Sequence, residues 1–124
     1  MNIDHVNIKA PPELLREVRD FYCHVLGLVE GFRPKFRSDG FWLYADGKAI
    51  IHLSESSGHH GDGIQGSFDH FAIRVDELSP TTERLDKIGL VYTTVQLSEI
   101  GLTQLFFKDP AGTGVEVNCL DKSI

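Results

Sequence analysis

Apolar residues recur at intervals of two in some stretches of the chain and at three and four in others, and the order of these stretches repeats. Residues 68–75 read as a strand, with Phe71, Ile73 and Val75 on one face and His70, Ala72 and Arg74 on the other. Residues 3–9 repeat the pattern position for position, with Val6 and Ile8 opposing Ile3, His5 and Asn7. Next, Leu14, Val18, Phe21, Tyr22 and Val25 recur at helical spacing, and Leu15 and Leu26 widen the stripe. Pro11 and Pro12 suit a first turn, where a missing N–H is no loss, and Gly27 is expected to end the helix in the left-handed conformation. Strands are predicted at 29–36, 40–44 and 49–54, the last two joined by a hairpin turn at Asp46-Gly47.

The second half follows the same plan. After the strand at 68–75, Ser79 and Pro80 read as an N-cap and first turn, Leu85 and Ile88 as the apolar side of a helix, and Gly89 as its end. Strands are predicted at 91–96, 102–107 and 114–119, with a turn at Asp109-Pro110-Ala111-Gly112. The predicted class is α+β: two paired β-α-β-β-β modules whose curved sheets enclose a trough for a metal or ligand. One domain, 1–124, would consist of module 1 (1–56) and module 2 (67–122), joined by a Gly/His-rich linker (57–66). A module of about 55 residues cannot easily cover both faces of its sheet, so the non-helical faces need a second layer.

The repeat also aligns chemistry. His52 lies between Ile51 and Leu53, and Glu116 between Val115 and Val117, each an ionisable group in a strand otherwise suited to burial. His52 follows His5 by 47 residues, and Glu116 follows His70 by 46. Three imidazoles and one carboxylate at equivalent points suit one divalent ion, Fe(II), Mn(II), Ni(II), Co(II) or Zn(II). Trp42 and Tyr44 share a strand face and could wall the pocket, although core packing is the role chiefly expected. Arg74, on the His70 face, could meet an anionic substrate or lie in solvent. His24, at the polar edge of the first helix, and the adjacent His59 and His60, in the linker, read as solvated.

The paired modules, Asp4-His5 and Asp69-His70 opening their strands, the Phe107-Lys108-Asp109-Pro110-Ala111-Gly112 turn and the strand Gly114-Val115-Glu116-Val117-Asn118 together resemble the vicinal oxygen chelate superfamily. The resemblance spans roughly residues 2 to 120 and covers glyoxalase I, bleomycin-resistance proteins, fosfomycin-resistance proteins, methylmalonyl-CoA epimerase and extradiol dioxygenases. It implies metal ligands at His5, His52, His70 and Glu116, with Glu116 and His52 as catalytic candidates. At the position of His52 glyoxalase I carries a glutamate that is both ligand and base, so glyoxalase I itself is the weaker match.

Two chemistries follow from the ligand count. Four ligands leave two neighbouring positions on an octahedral ion, which suits a glyoxalase-type lyase or isomerase acting on a small substrate with oxygens on adjacent carbons. His5, His70 and Glu116 alone would form a two-histidine, one-carboxylate face, with room for a catechol and dioxygen as in an extradiol dioxygenase. A third expectation is a binding protein that sequesters a small molecule, such as an antibiotic, without catalysis. The resemblance further implies a homodimer.

Composition narrows the partners. A net charge of −6 speaks against nonspecific nucleic-acid binding. No apolar run is long enough for a membrane span, and a strand beginning near residue 3 leaves no room for a signal peptide. Cys23 and Cys119 lack metal-type spacing and read as reduced, buried thiols, so a cytoplasmic protein with a small-molecule substrate is expected.

Overall fold

A computed structural model describes residues 1–56 and 67–121; the linker at 57–66, with His59 and His60, lies outside the described residues. The α+β class and the repeated β-α-β-β-β order are what the chain adopts. Its contacts divide it into two compact units, Met1–Ile64 and Gln65–Ile124.

In the first unit, β1 (Val6–Ala10), α1 (Pro12–Val25), β2 (Val29–Gly31), β3 (Gly40–Ala45) and β4 (Lys48–Glu55) follow in order. The sheet order is β1-β4-β3-β2, with β1 parallel to β4 and the other pairs antiparallel. Leu15, Val18, Phe21, Tyr22 and Val25 of α1 are buried, as their spacing predicts. They share this unit's core with Ile8, Ala10, Leu43, Ile51 and Leu53 from the strands. The Arg19 guanidinium reaches from α1 over the Phe41 ring, 4.6 Å from its centre. Gly27 (φ 71°) ends the helix, and Asp46 (φ 51°) and Gly47 (φ 78°) form the hairpin turn in the doubly left-handed conformation that matches strand twist.

The second unit has the same topology. Its elements are β5 (His70–Arg74), α2 (Ser79–Lys87), β6 (Thr93–Leu97), β7 (Leu102–Lys108) and β8 (Gly114–Leu120), with sheet order β5-β8-β7-β6. Leu85, Leu102, Leu105, Phe107, Ala111, Val115 and Val117 are buried. After α2, the Leu90 amide donates to Leu85 O (3.0 Å) and the Gly89 amide to Asp86 O (3.0 Å), the two bonds of a glycine-terminated helix end. The Asp109 carboxylate, itself buried, accepts from the amides of Ala111 (2.8 Å) and Thr113 (2.9 Å), so the acid acts as the turn's internal brace.

Several boundaries differ from expectation. β1 and β5 begin at Val6 and His70, so His5 stands just ahead of its strand. β2 stops at Gly31 rather than near residue 36: Pro34 has no N–H for a ladder, and the Arg33 side chain instead bonds Ser38 O across the loop (3.0 Å). Ser79 is the first residue of α2 rather than its N-cap; Leu78 holds that position, and its carbonyl accepts from the Thr81 and Thr82 amides. A short 3-10 turn, Ser98–Ile100, joins β6 to β7. Cys23 and Cys119 are free thiols but half-buried rather than buried, and burial pushes the Cys23 thiol up from its ordinary value. No helix among the described residues is long and apolar enough to cross a membrane.

Candidate metal centre

Strand register puts the candidate residues at matching points. In the first unit Asn7 pairs with His52, two residues after His5; in the second Ala72 pairs with Glu116, two residues after His70. Side chains two apart along a strand share a face, and paired positions on neighbouring strands do too. Each unit therefore gathers two candidate ligands on its face opposite Ile51 and Leu53, or opposite Val115 and Val117.

His5 and His52 stack face to face, with ring centres 3.7 Å apart and planes inclined by 13°. His52 stacks in turn on Trp42, at 3.9 Å and 12°. Trp42 thus lies on the histidine face instead of packing in the α1 core, because its register partner is His52 itself. Tyr44 covers Gly31 and donates its hydroxyl to Phe32 O (2.6 Å). Burial between flat rings, and then the nearby charge of His5, hold the His52 pKa below its ordinary value, so its imidazole favours the neutral form.

In the second unit His70 Nε2 lies 3.0 Å from Glu116 Oε1. Glu116 is 7% exposed, and its other oxygen, Oε2, accepts from Asn118 Nδ2 (2.7 Å) and Gln104 Nε2 (3.1 Å). Two amides thus hold one carboxylate oxygen and leave the second turned to the histidine. Gly114, the register partner of His70, makes room for this approach: a Cβ there would fall 2.5 Å from Asp69 O and 2.9 Å from the His70 Cβ. The Phe106 ring meets His70 edge-on at 6.1 Å.

One device occurs twice. Asp4 Oδ2 lies 2.7 Å from His5 Nδ1, and Asp69 Oδ2 lies 2.7 Å from His70 Nδ1. A carboxylate can only accept, so Nδ1 carries a proton in both; the Nε2 lone pair of His5 is then free for a metal, whereas Nε2 of His70 points at Glu116 Oε1 and shares a proton with it until an ion takes that proton's place. The contact with His5 holds the Asp4 carboxyl below its ordinary value. The bond to Asp69 raises the His70 pKa; burial opposes it, and the charge of Glu116 adds to the rise.

The donor chemistry fits a divalent ion. Ligand atoms at adjacent corners of an octahedron with bonds of about 2.1 Å stand about 3.0 Å apart, the separation of His70 Nε2 and Glu116 Oε1. Within each unit the structure brings together two of the four candidates; among the described residues, no three His, Cys, Asp or Glu side chains cluster around one point. Arg74 is exposed, as is His24 on the last turn of α1. Sequence reasoning did not assign roles to Gln104, Asn118 or Arg33. Asn118 could have been found from its place two residues beyond Glu116; Gln104 needs the β7–β8 register.

Comparison with known proteins adds a family. The family model described as "Glyoxalase/Bleomycin resistance protein/Dioxygenase superfamily" matches residues 2–117. The chain is 26% identical over 125 residues to Glyoxylase I 4 of Arabidopsis thaliana, covering 95% of this chain and 71% of that one. Its fold is similar to that of a glyoxylase/bleomycin resistance protein/dioxygenase domain from Frankia sp. EAN1pec, with TM-score 0.79, 24% identity and 98% of each chain covered. It is also similar in fold to the fosfomycin resistance protein FosX of Listeria monocytogenes, solved with Mn(II) and 1S,2S-dihydroxypropylphosphonic acid. There the TM-score is 0.73 at 14% identity, over 96% of this chain and 92% of the other.

Proposed function

Because the chain belongs to the Glyoxalase/Bleomycin resistance protein/Dioxygenase superfamily, we propose that it is a metal-dependent enzyme of glyoxalase type, a lyase or isomerase acting on a small substrate with oxygens on adjacent carbons. The donors to one divalent ion are His5, His52, His70 and Glu116. The observation that carries this reading is the doubled aspartate clasp, which fixes His5 and His70 through Nδ1 and so reserves Nε2 for a ligand, together with the buried Glu116 oxygen 3.0 Å from His70 Nε2. That a FosX structure contains Mn(II) supports the choice of a divalent ion.

When bound, the ion supplies Lewis acidity toward oxygens on neighbouring carbons, the charge stabilisation that an enediolate or alkoxide needs. The chain's own residues supply the proton chemistry. His52, kept neutral between His5 and Trp42, can accept a proton near pH 7. Glu116 is restrained at Oε2 by Asn118 and Gln104, so Oε1 is the oxygen able to ligate or to take a proton. The aromatic faces beside His52 exclude water from one side of it.

One observation favours a second reading. The aspartate clasp serves His5 and His70 but not His52, whose ring meets the Ala49 backbone instead, so the groups oriented by side-chain carboxylates or amides are His5, His70 and Glu116. Those three alone make the two-histidine, one-carboxylate set of an extradiol dioxygenase, with His52 as acid or base. Metal stoichiometry in His52→Ala, measured by elemental analysis after reconstitution, separates the readings: loss of the ion indicates four ligands, retention indicates three. Dioxygen uptake with catechol, set against solvent-deuterium exchange beside the carbonyl of an α-hydroxyketone, gives the matching test of the reaction. A protein that takes up no divalent metal refutes both.

A further inference from the structure

The histidine face of the first unit carries a cation that the metal chemistry does not use. Gly40 pairs with Ser54 and Trp42 with His52, so these four positions share a face. The Arg33 side chain lies over Gly40: a Cβ on that residue would meet Arg33 Nε at 3.1 Å and collide with Leu53 O. Only glycine leaves this floor open. Gly40 itself is about 7 Å along the strand from Trp42, by the rise of two strand residues. The guanidinium stacks over the Phe36 ring at 4.8 Å, and Phe36 meets Trp42 at 6.2 Å. Arg33, Phe36, Trp42, His52 and His5 thus form one continuous row.

The hydrogen bonding of this arginine is incomplete. One terminal N–H donates to Ser38 O (3.0 Å), whereas the buried Nε–H has no partner, and no carboxylate pairs with Arg33, among the described residues. Arg19, by contrast, faces both Asp20 (2.9 Å) and Glu30 (3.8 Å). The Nε–H is out of a ligand's reach, but a guanidinium held flat by an aromatic ring, with no carboxylate partner among the described residues, can turn its remaining terminal N–H groups to an oxyanion in the planar, forked geometry that lysine cannot offer.

We propose that Arg33 is a specificity-determining residue that binds an oxyanion substituent of the substrate, a carboxylate or a phosphonate, beside His52. The inference rests on the functional reading above for the identity of the reacting centre, but the anion site belongs to the first unit alone. It narrows the substrate class to small organic anions and separates them from neutral compounds bearing the same adjacent oxygens.

Trp42 is the chain's single tryptophan and so reports on this face directly. Titrating the whole chain in EDTA with acetate and with methylphosphonate is expected to change Trp42 fluorescence saturably for at least one of them, and the stronger names the oxyanion. Acetamide and dimethyl methylphosphonate are expected to give no saturable change. Arg33→Gln should weaken the response by about tenfold or more, and Arg33→Lys should restore part of it. Circular dichroism of each variant checks folding; should Arg33→Gln be misfolded, the difference between Arg33→Lys and the native chain decides. Equal binding of acids and neutral analogues, or an anion response unchanged in the variants, overturns the proposal. Repeating the titration with Mn(II) distinguishes the two readings. Anion binding that requires Mn(II) and ignores Arg33 overturns this site and leaves the metal reading standing. Arg33-dependent anion binding in a chain that takes up no metal does the reverse.

Discussion

Glu116 shows how a single side chain is made ready for chemistry. A buried carboxylate is costly unless its oxygens are satisfied, and here Asn118 and Gln104 satisfy one oxygen while His70 meets the other. Glu116→Ala is accordingly expected to abolish stoichiometric metal uptake. Asn118→Ala, which frees the carboxylate without removing it, should weaken metal affinity by about 10- to 100-fold in a calorimetric titration. The two histidines that titrate abnormally move in opposite senses. The folded pKa of His70 is raised, so its contribution to stability is complete below about pH 6.5 and is lost as pH rises through the folded value. That of His52 is lowered, so the fold is penalised as pH falls through 6.5 and the unfolded chain takes up the proton first. Urea unfolding in EDTA should therefore show a local stability maximum near pH 6.5 from these two groups. His70→Gln should flatten its alkaline side and His52→Gln its acidic side. Because the His70 side chain is 38% exposed, its limb should amount to at most about 1 kcal/mol.

At the scale of elements, the glycines divide into those that turn the chain and those that let a neighbour approach. Gly89 (φ 70°) ends α2, and nothing lies within 4 Å of where its Cβ would be. Gly89→Ala should cost about 1–2 kcal/mol through backbone strain alone and leave metal affinity unchanged. Gly114 lies on β8 against the Asp69–His70 backbone, where an added methyl has no free space. Gly114→Ala should destabilise the fold by about 1–3 kcal/mol and also weaken metal binding, because relief of the clash displaces His70. Urea midpoints with parallel metal titrations distinguish the two kinds of glycine. Strand phases, the α1 stripe and the Asp46-Gly47 turn were legible in the sequence because each depends on a few consecutive residues. The early stop of β2 was less so: alternation of apolar residues continues past Gly31, while Pro34 and the Arg33 bond to Ser38 prevent pairing there.

For the molecule as a whole, the proposed ligand set makes metal binding a term in stability. At a free metal concentration about 100-fold above Kd, the thermal unfolding of the reconstituted protein should gain about 2.7 kcal/mol over the protein in EDTA. The gain should vanish in Glu116→Ala. The homodimer expected from the resemblance predicts twice the chain mass in sedimentation equilibrium, and Phe32, Val29 and Val91, which are exposed, are apolar residues available for such a contact.

By itself the sequence determined the α+β class, the duplicated order of elements and the equivalence of His5 with His70 and of His52 with Glu116. Side-chain alternation, helical spacing and turn chemistry are properties of short segments, and a duplication transfers them intact. Tertiary structure decided what surrounds those four residues. The grip of Gln104 on Glu116, the stacking of His52 between His5 and Trp42, and the seat of Arg33 over Gly40 all join residues of different strands or of a strand and a loop. Such contacts depend on which strand pairs with which and in what register, and a one-residue slip would turn every one of these side chains to the other face.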